Sequence, residues 1–124
     1  MPMKKLTALL IIALAMASCT ASGYRQVSSD EAARLMAESK GYVILDVRTA
    51  EEYRSGHIDG AICIPNETIG KDMPEELPDK NQRIFVYCRS GNRSRQAASK
   101  LAALGYTDII EFGGINSWKG KTVK

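Results

Sequence analysis

The sequence predicts an α/β fold built on a parallel sheet with helices on both faces. Two observations predict it. Three runs, "YVILD", "IFVYC" and "TDIIEF", are close to continuously apolar rather than alternating, the pattern of strands covered on both sides. Between them stand helical segments with capping signals, and alternation of strand and helix is the signature of parallel crossover units.

The elements follow in order. In "VSSDEAARLMAE", Ser28 stands three before Glu31, a capping-box spacing, and Ala32, Leu35 and Met36 share one helical face. "GYVILDVR" is a buried strand from Tyr42 to Asp46. "TAEEYRSGH" repeats the capping pattern from Thr49 to Glu52, and Gly56 ends that short helix. "GAICIP" is a short strand stopped by Pro65. "NETIGKDMPEELPDKNQ", with two prolines and many charges, is a loop with one helical turn at most. "RIFVYC" is a strand, "SRQAASKLAALG" a helix closed by Gly105, and "TDIIEF" the last clear strand before "GGINSWKG". Neither repeats nor an internal linker interrupt the chain past Gly23, so a single domain is expected over residues 19–124.

The first 18 residues have a different character. Lys4 and Lys5 precede an uncharged run from Leu6 to Ala17, 12 residues long, followed by Ser18 and Cys19. A bilayer-spanning helix needs about 20 apolar residues. A positive start, a short apolar stretch and small residues before the cut describe a secretory signal. The stretch resembles a bacterial lipoprotein signal, which implies cleavage before Cys19 and lipid on that cysteine, although Met16 replaces the usual leucine. The expectation is an exported protein of the periplasm or cell envelope, held to a membrane by its N-terminal lipid. Loss of Lys4 and Lys5 lowers the formal net charge from +3 to +1, so charge gives no argument for nucleic acid.

In open α/β sheets the ligand site lies at the carboxyl ends of the strands. Three loops qualify: "DVRTAEE", "CRSGNRS" and "FGGINSW". The middle one carries the chemistry. The first N–H groups of a helix lack intrahelical partners and, with the helix dipole, favour an anion. Gly91 permits the curl such a nest requires. A thiol at its centre, Cys88, is drawn toward the thiolate by those donors and by Arg89 and Arg93, and a thiolate is a nucleophile. Two blander readings stay open on the residues alone: Cys88 as a small buried hydrophobe, or as the partner of Cys63 in a disulfide. Neither accounts for the glycine and the arginines.

Three pieces together, "ILDVRTAEEYRSGHIDGAICIP", "VYCRSGNRS" and "LAALGYTDIIEFGGINSW", resemble the single-domain rhodaneses, thiosulfate-type sulfurtransferases, in the family's order. The resemblance implies a mainly parallel sheet of about five strands, with "YRQV" as the first. It implies that Cys88 takes a sulfane sulfur from a small donor, thiosulfate or a persulfide, and passes it to a thiol or cyanide. The active-site loop is then Arg89, Ser90, Gly91, Asn92, Arg93 and Ser94, its N–H groups cradling the sulfur and its arginines positioning an anionic donor. Four residues separate Cys88 from Arg93. The related cysteine phosphatases and arsenate reductases have five, a larger ring for a larger anion, and Arg95 does not restore that spacing.

Asp46 and Arg48 are expected to brace the loops as an ion pair, with Glu52 a possible third member, or else to touch substrate. His57, the only histidine, is read as scaffold, and Trp118 as either a pocket wall or a core aromatic. Cys63 is read as a small buried residue, with a resolving role toward Cys88 as the alternative. No cofactor or metal is expected, one histidine without clustered cysteines being a poor ligand set, and the protein is expected to act as a monomer. A rhodanese module that binds a partner without catalysis is the competing reading.

Overall fold

The computed structural model describes residues 23–124, so the segment expected to be a signal, and Cys19 with it, lies outside the described residues. The chain runs β1 (Arg25–Gln26), α1 (Ser29–Glu38), β2 (Val43–Asp46), α2 (Ala50–Ser55), β3 (His57–Ile58) and β4 (Ile62–Cys63). A 3-10 turn (Asn66–Thr68) precedes β5 (Ile84–Cys88), α3 (Asn92–Ala103) and β6 (Ile109–Gly114). A second 3-10 turn (Ile115–Ser117) and β7 (Thr122–Val123) close it.

Five strands form one sheet in the order β1-β6-β5-β2-β4, with every neighbouring pair parallel. Strand β5 lies at the centre and all five of its residues are buried. Its side chains alternate between two cores. Ile84, Val86 and Cys88 join Leu45, Ala97 and Leu101 on the α3 face. Phe85 and Tyr87 join Ala32, Ile44 and Phe112 on the α1 face. The sheet is thus covered on both sides, which is why its strands read as unbroken apolar runs. The β3–β7 pair is a separate antiparallel ribbon that the sequence reading did not contain.

The helix ends show which signals operate. Ser28 caps α1 by accepting the Glu31 N–H at 3.1 Å, but the Glu31 carboxylate turns to Arg34, so only half of the expected capping box forms. Thr49 and Glu52 make the full reciprocal box at α2. Helix α3 starts two residues before the expected Ser94. Its N-cap is Gly91, which offers no side-chain oxygen to the first N–H groups. At the other end Gly105 donates to Ala102 O and Tyr106 to Leu101 O, a Schellman motif, and Tyr106 and Leu101 share the α3-face core. The long acidic loop is irregular as expected, yet anchored: Ile69 and Leu77 are buried, and Tyr106 Oη donates to Leu77 O at 2.6 Å.

Candidate active site

Strand β5 ends on Cys88 and α3 begins at Asn92, so the intervening loop lies at the carboxyl edge of the central strand. Cys88 Sγ accepts the Gly91 N–H at 3.0 Å and lies 3.5 Å from Ser94 Oγ. Burial pushes the thiol pKa up. Hydrogen bonds from the Ser94 hydroxyl and from the N–H groups of Ser94, Gly91 and Ser90 outweigh it, and the net shift is downward. Of the N–H groups expected to cradle the sulfur, that of Gly91 donates to it at 3.0 Å. The absence of a side-chain cap on α3 matters here, because the orphan donors of its first turn remain available to the sulfur.

Two glycines make this geometry possible. Gly91 has φ +119°, a conformation that side chains rarely adopt, and a Cβ there would lie 2.8 Å from Arg95 Nη1. Gly114 takes the loop on its surface: a Cβ would lie 1.9 Å from Arg89 O. Gly114 is brought beside Cys88 by a bulge, since the pairs Val86↔Glu111 and Cys88↔Gly114 leave one extra residue on β6.

The arginines meet a carboxylate. Arg93 forks onto Glu52, Nη1 to Oε1 at 2.7 Å and Nη2 to Oε2 at 3.1 Å, and the more exposed Arg89 approaches Oε2 at 3.3 Å. Glu52 thus belongs with the loop arginines and not, as the sequence suggested, with Arg48. The Arg93 hydrogen bonds hold its carboxyl well below the usual carboxylate range, against the opposing effect of burial. A lowered folded value means stability that is fully present above about pH 4.3, the unfolded value. It is lost as pH falls toward the folded value, because the unfolded chain takes up the proton first. Glu52→Gln has no such proton to bind. The wild type is therefore expected to melt above this variant at neutral pH, and the gap to narrow as melts are taken down to about pH 3. A gap independent of pH would contradict the assignment.

Asp46 and Arg48 form the expected pair, and both are buried. Asp46 accepts Arg48 N–H at 2.9 Å, Nε at 3.0 Å, Nη2 at 2.7 Å and the Tyr87 hydroxyl at 2.8 Å. Burial keeps the Tyr87 phenol protonated, so it donates to Asp46 while accepting the Ile58 N–H. Arg48 Nη2 also holds Gly56 O at the end of α2. With its oxygens occupied by protein donors, Asp46 holds Arg48 and, through it, the end of α2, the helix that carries Glu52 toward Arg93.

The other conspicuous residues resolve as follows. His57 Nδ1 lies 2.9 Å from Tyr53 O, where only an N–H can be accepted, and its ring stacks on Tyr53 at 3.7 Å. Trp118 packs on Phe112, on the α1 face of the sheet and away from the Cys88 face, which favours the core reading over the pocket wall. Cys63 and Cys88 are both free. Asp46 on β2 pairs with Cys63 on one side and with Tyr87 on the other. The Cα atoms of Cys63 and Tyr87 thus stand two strand spacings apart, about 9.6 Å, and Cys88 lies one residue further along β5, beyond disulfide reach of roughly 7 Å between Cα atoms. The disulfide alternative is corrected accordingly, and β2 stands between Cys63 and any resolving role. Among the described residues no group of three His, Cys, Asp or Glu side chains gathers as a metal site.

Two contributors were missed in the sequence. Tyr87 ties Asp46 to β3, and Glu111 on β6 lies under the loop, 2.5 Å from Ser94 Oγ. The available signal for Glu111 was a lone carboxylate inside an apolar strand, two residues before Gly-Gly.

Comparison with known proteins places the chain in a family. Residues 28–121 match the rhodanese-like domain family. The thiosulfate sulfurtransferase PspE of Escherichia coli is 39% identical over 71 residues, 57% of this chain and 68% of that protein. A sulfurtransferase of Allochromatium vinosum is 33% identical over 94 residues, 75% of this chain and 86% of the relative. A solved rhodanese with anions from E. coli superposes with a TM-score of 0.62 at 36% identity, over 67% of this chain and 98% of that one. The chain belongs to the rhodanese-like domain family.

Proposed function

We propose that this protein is a sulfurtransferase that carries sulfur as a persulfide on Cys88. The observation that supports it most is the sulfur itself, buried at the start of α3 with backbone N–H donors aimed at it and its pKa drawn down. A thiolate so held attacks the sulfane sulfur of thiosulfate. The Cys88–S bond forms as the S–S bond of the donor breaks, and sulfite leaves with the bonding pair. Cyanide or a thiol then attacks the outer sulfur; with cyanide, thiocyanate leaves and the thiolate returns. No cofactor enters either half-reaction. Names of relatives point the same way, two of them being sulfurtransferases.

Arg93 and Arg89 position an incoming anionic donor in this reading, with the Glu52 carboxylate as the group it competes against. The short loop, four residues between Cys88 and Arg93, favours a sulfur atom over a phosphate ester. Export, cleavage before Cys19 and lipid attachment there complete the proposal and place the reaction at the cell envelope.

The test is thiocyanate production from thiosulfate and cyanide. The initial rates should give parallel double-reciprocal lines, as a covalent intermediate between two half-reactions requires. Absence of thiocyanate with every donor tried, thiosulfate and small persulfides included, would favour the partner-binding module instead.

A further inference from the structure

Glu111 lies on the face of β6 that looks toward α3 and is 1% exposed. Its Oε2 meets Ser94 Oγ at 2.5 Å and accepts the Gly113 N–H at 2.8 Å, a donor supplied by the bulge in β6. Among the described residues no Lys, Arg or His forms an ion pair with it. Ser94 is fully buried and is the residue whose hydroxyl faces Cys88. The buried carboxyl and the buried thiol thus share one intermediary.

That intermediary has a single hydrogen to give. Ser94 Oγ faces Glu111 Oε2, Gly91 O at 3.0 Å, Gly113 O at 3.2 Å and Cys88 Sγ at 3.5 Å. With Cys88 as the thiol, S–H donates to Oγ and Oγ–H donates to the carboxylate. With Cys88 as the thiolate, sulfur has no hydrogen of its own, so the Cys88–Ser94 hydrogen bond persists only if the Ser94 hydrogen points at sulfur. Oε2 can then stay in hydrogen-bond contact with Oγ only if it carries a hydrogen of its own, since two oxygens so close need a hydrogen between them.

We propose that Glu111 holds the proton Cys88 gives up, relayed through Ser94, so that carboxyl and sulfur share one negative charge. The S–H bond breaks as its proton passes to Oγ, and Oγ passes its own proton to Oε2. Charge moves from carboxylate to sulfur, nothing is oxidised or reduced, and no solvent proton is needed. Glu111 never touches the donor; it is a positioning residue that acts through Ser94. Protonated, it also spares the loop a second buried anion while a charged persulfide is present. The proposal rests on Cys88 being the reacting thiol.

The neighbouring charges stay constant in the comparison that tests this. Strand β6 packs with β5, β1, α3 and α1. Besides Cys88, the titratable and charged residues of these elements are Tyr87 on β5, Arg25 on β1, Arg93, Arg95 and Lys100 on α3, and Asp30, Glu31, Arg34 and Glu38 on α1, where Asp30 pairs with Lys119 and Arg34 with both Glu31 and Glu38.

The measurement is the rate at which iodoacetamide alkylates Cys88, read by mass spectrometry on its own tryptic peptide, Ile84–Arg89, in the full chain across pH. Thiolate is the species that reacts. Two groups that share a proton titrate in two macroscopic steps. The wild type is expected to show two rises separated by a plateau, and Glu111→Gln a single rise. A wild-type profile that superposes on that of Glu111→Gln, or a second rise that survives in Glu111→Gln, overturns the relay; should Glu111→Gln fail to fold, Ser94→Ala, which removes the intermediary, takes its place in the comparison. Alkylation involves no sulfur transfer. A two-step profile without thiocyanate formation would therefore remove the sulfurtransferase reading and leave the relay, and the converse result would do the reverse.

Discussion

Cys88→Ser is expected to lower sulfur transfer from thiosulfate to cyanide by about four orders of magnitude or more, the scale seen when a covalent nucleophile is deleted. The reason is specific to the site. Its hydrogen bonds stabilise a sulfur anion, and a serine hydroxyl in the same cradle stays protonated at any working pH. The fold should survive, because the serine oxygen can still accept the Gly91 N–H that sulfur accepts at 3.0 Å. A change of more than about 1 kcal/mol in urea midpoint stability would show that the cysteine also has a structural role. Retention of transfer by the serine variant would remove Cys88 from the chemistry.

The second large effect is on stability. Asp46→Ala is expected to destabilise the domain by about 3–5 kcal/mol, the cost of leaving a buried charge without its partner. Arg48 is 4% exposed, and without Asp46 its guanidinium keeps only Gly56 O among the hydrogen bonds named above. Tyr87 loses the acceptor of its hydroxyl as well. Against a total of roughly 5–15 kcal/mol for a domain of this kind, that is a large fraction. Asp46→Ala combined with Arg48→Met leaves no unpaired charge and should recover part of the loss. The exposed pair of Arg34 and Glu31 gives the contrast: Arg34→Ala should cost about 1 kcal/mol or less. Denaturant midpoints of the wild type and the three variants decide the matter, and equal losses for Asp46→Ala and Arg34→Ala would contradict the ledger of buried against exposed pairs.

Much of the fold was legible because its signals are local. Strands β2, β5 and β6 announce themselves as apolar runs, and Thr49, Gly56 and Gly105 mark helix ends by chemistry that acts within a few residues. The loop from Cys88 to Ser94 was legible for the same reason, since strand end, glycine and helix start are contiguous. What depended on pairing across the sheet was hidden. Cys63 and Cys88 looked like possible partners until the order β5-β2-β4 put a strand between them. Glu52 was grouped with Arg48, its near neighbour in sequence, whereas the fold turns it to Arg93, 41 positions away. Glu111 passed as one residue of a strand, because its significance comes from a bulge and from Ser94 on another element. The β3–β7 ribbon has two-residue strands, too short to leave a periodic signal.

The central claim, that Cys88 carries the transferred sulfur, is met most directly by mass spectrometry of the purified protein after thiosulfate and removal of excess donor. The account predicts an added mass of one sulfur atom, located on the peptide Ile84–Arg89 and released by cyanide as thiocyanate. A protein that forms thiocyanate while Cys88 stays unmodified, or that carries the added sulfur on Cys63 alone, would contradict it.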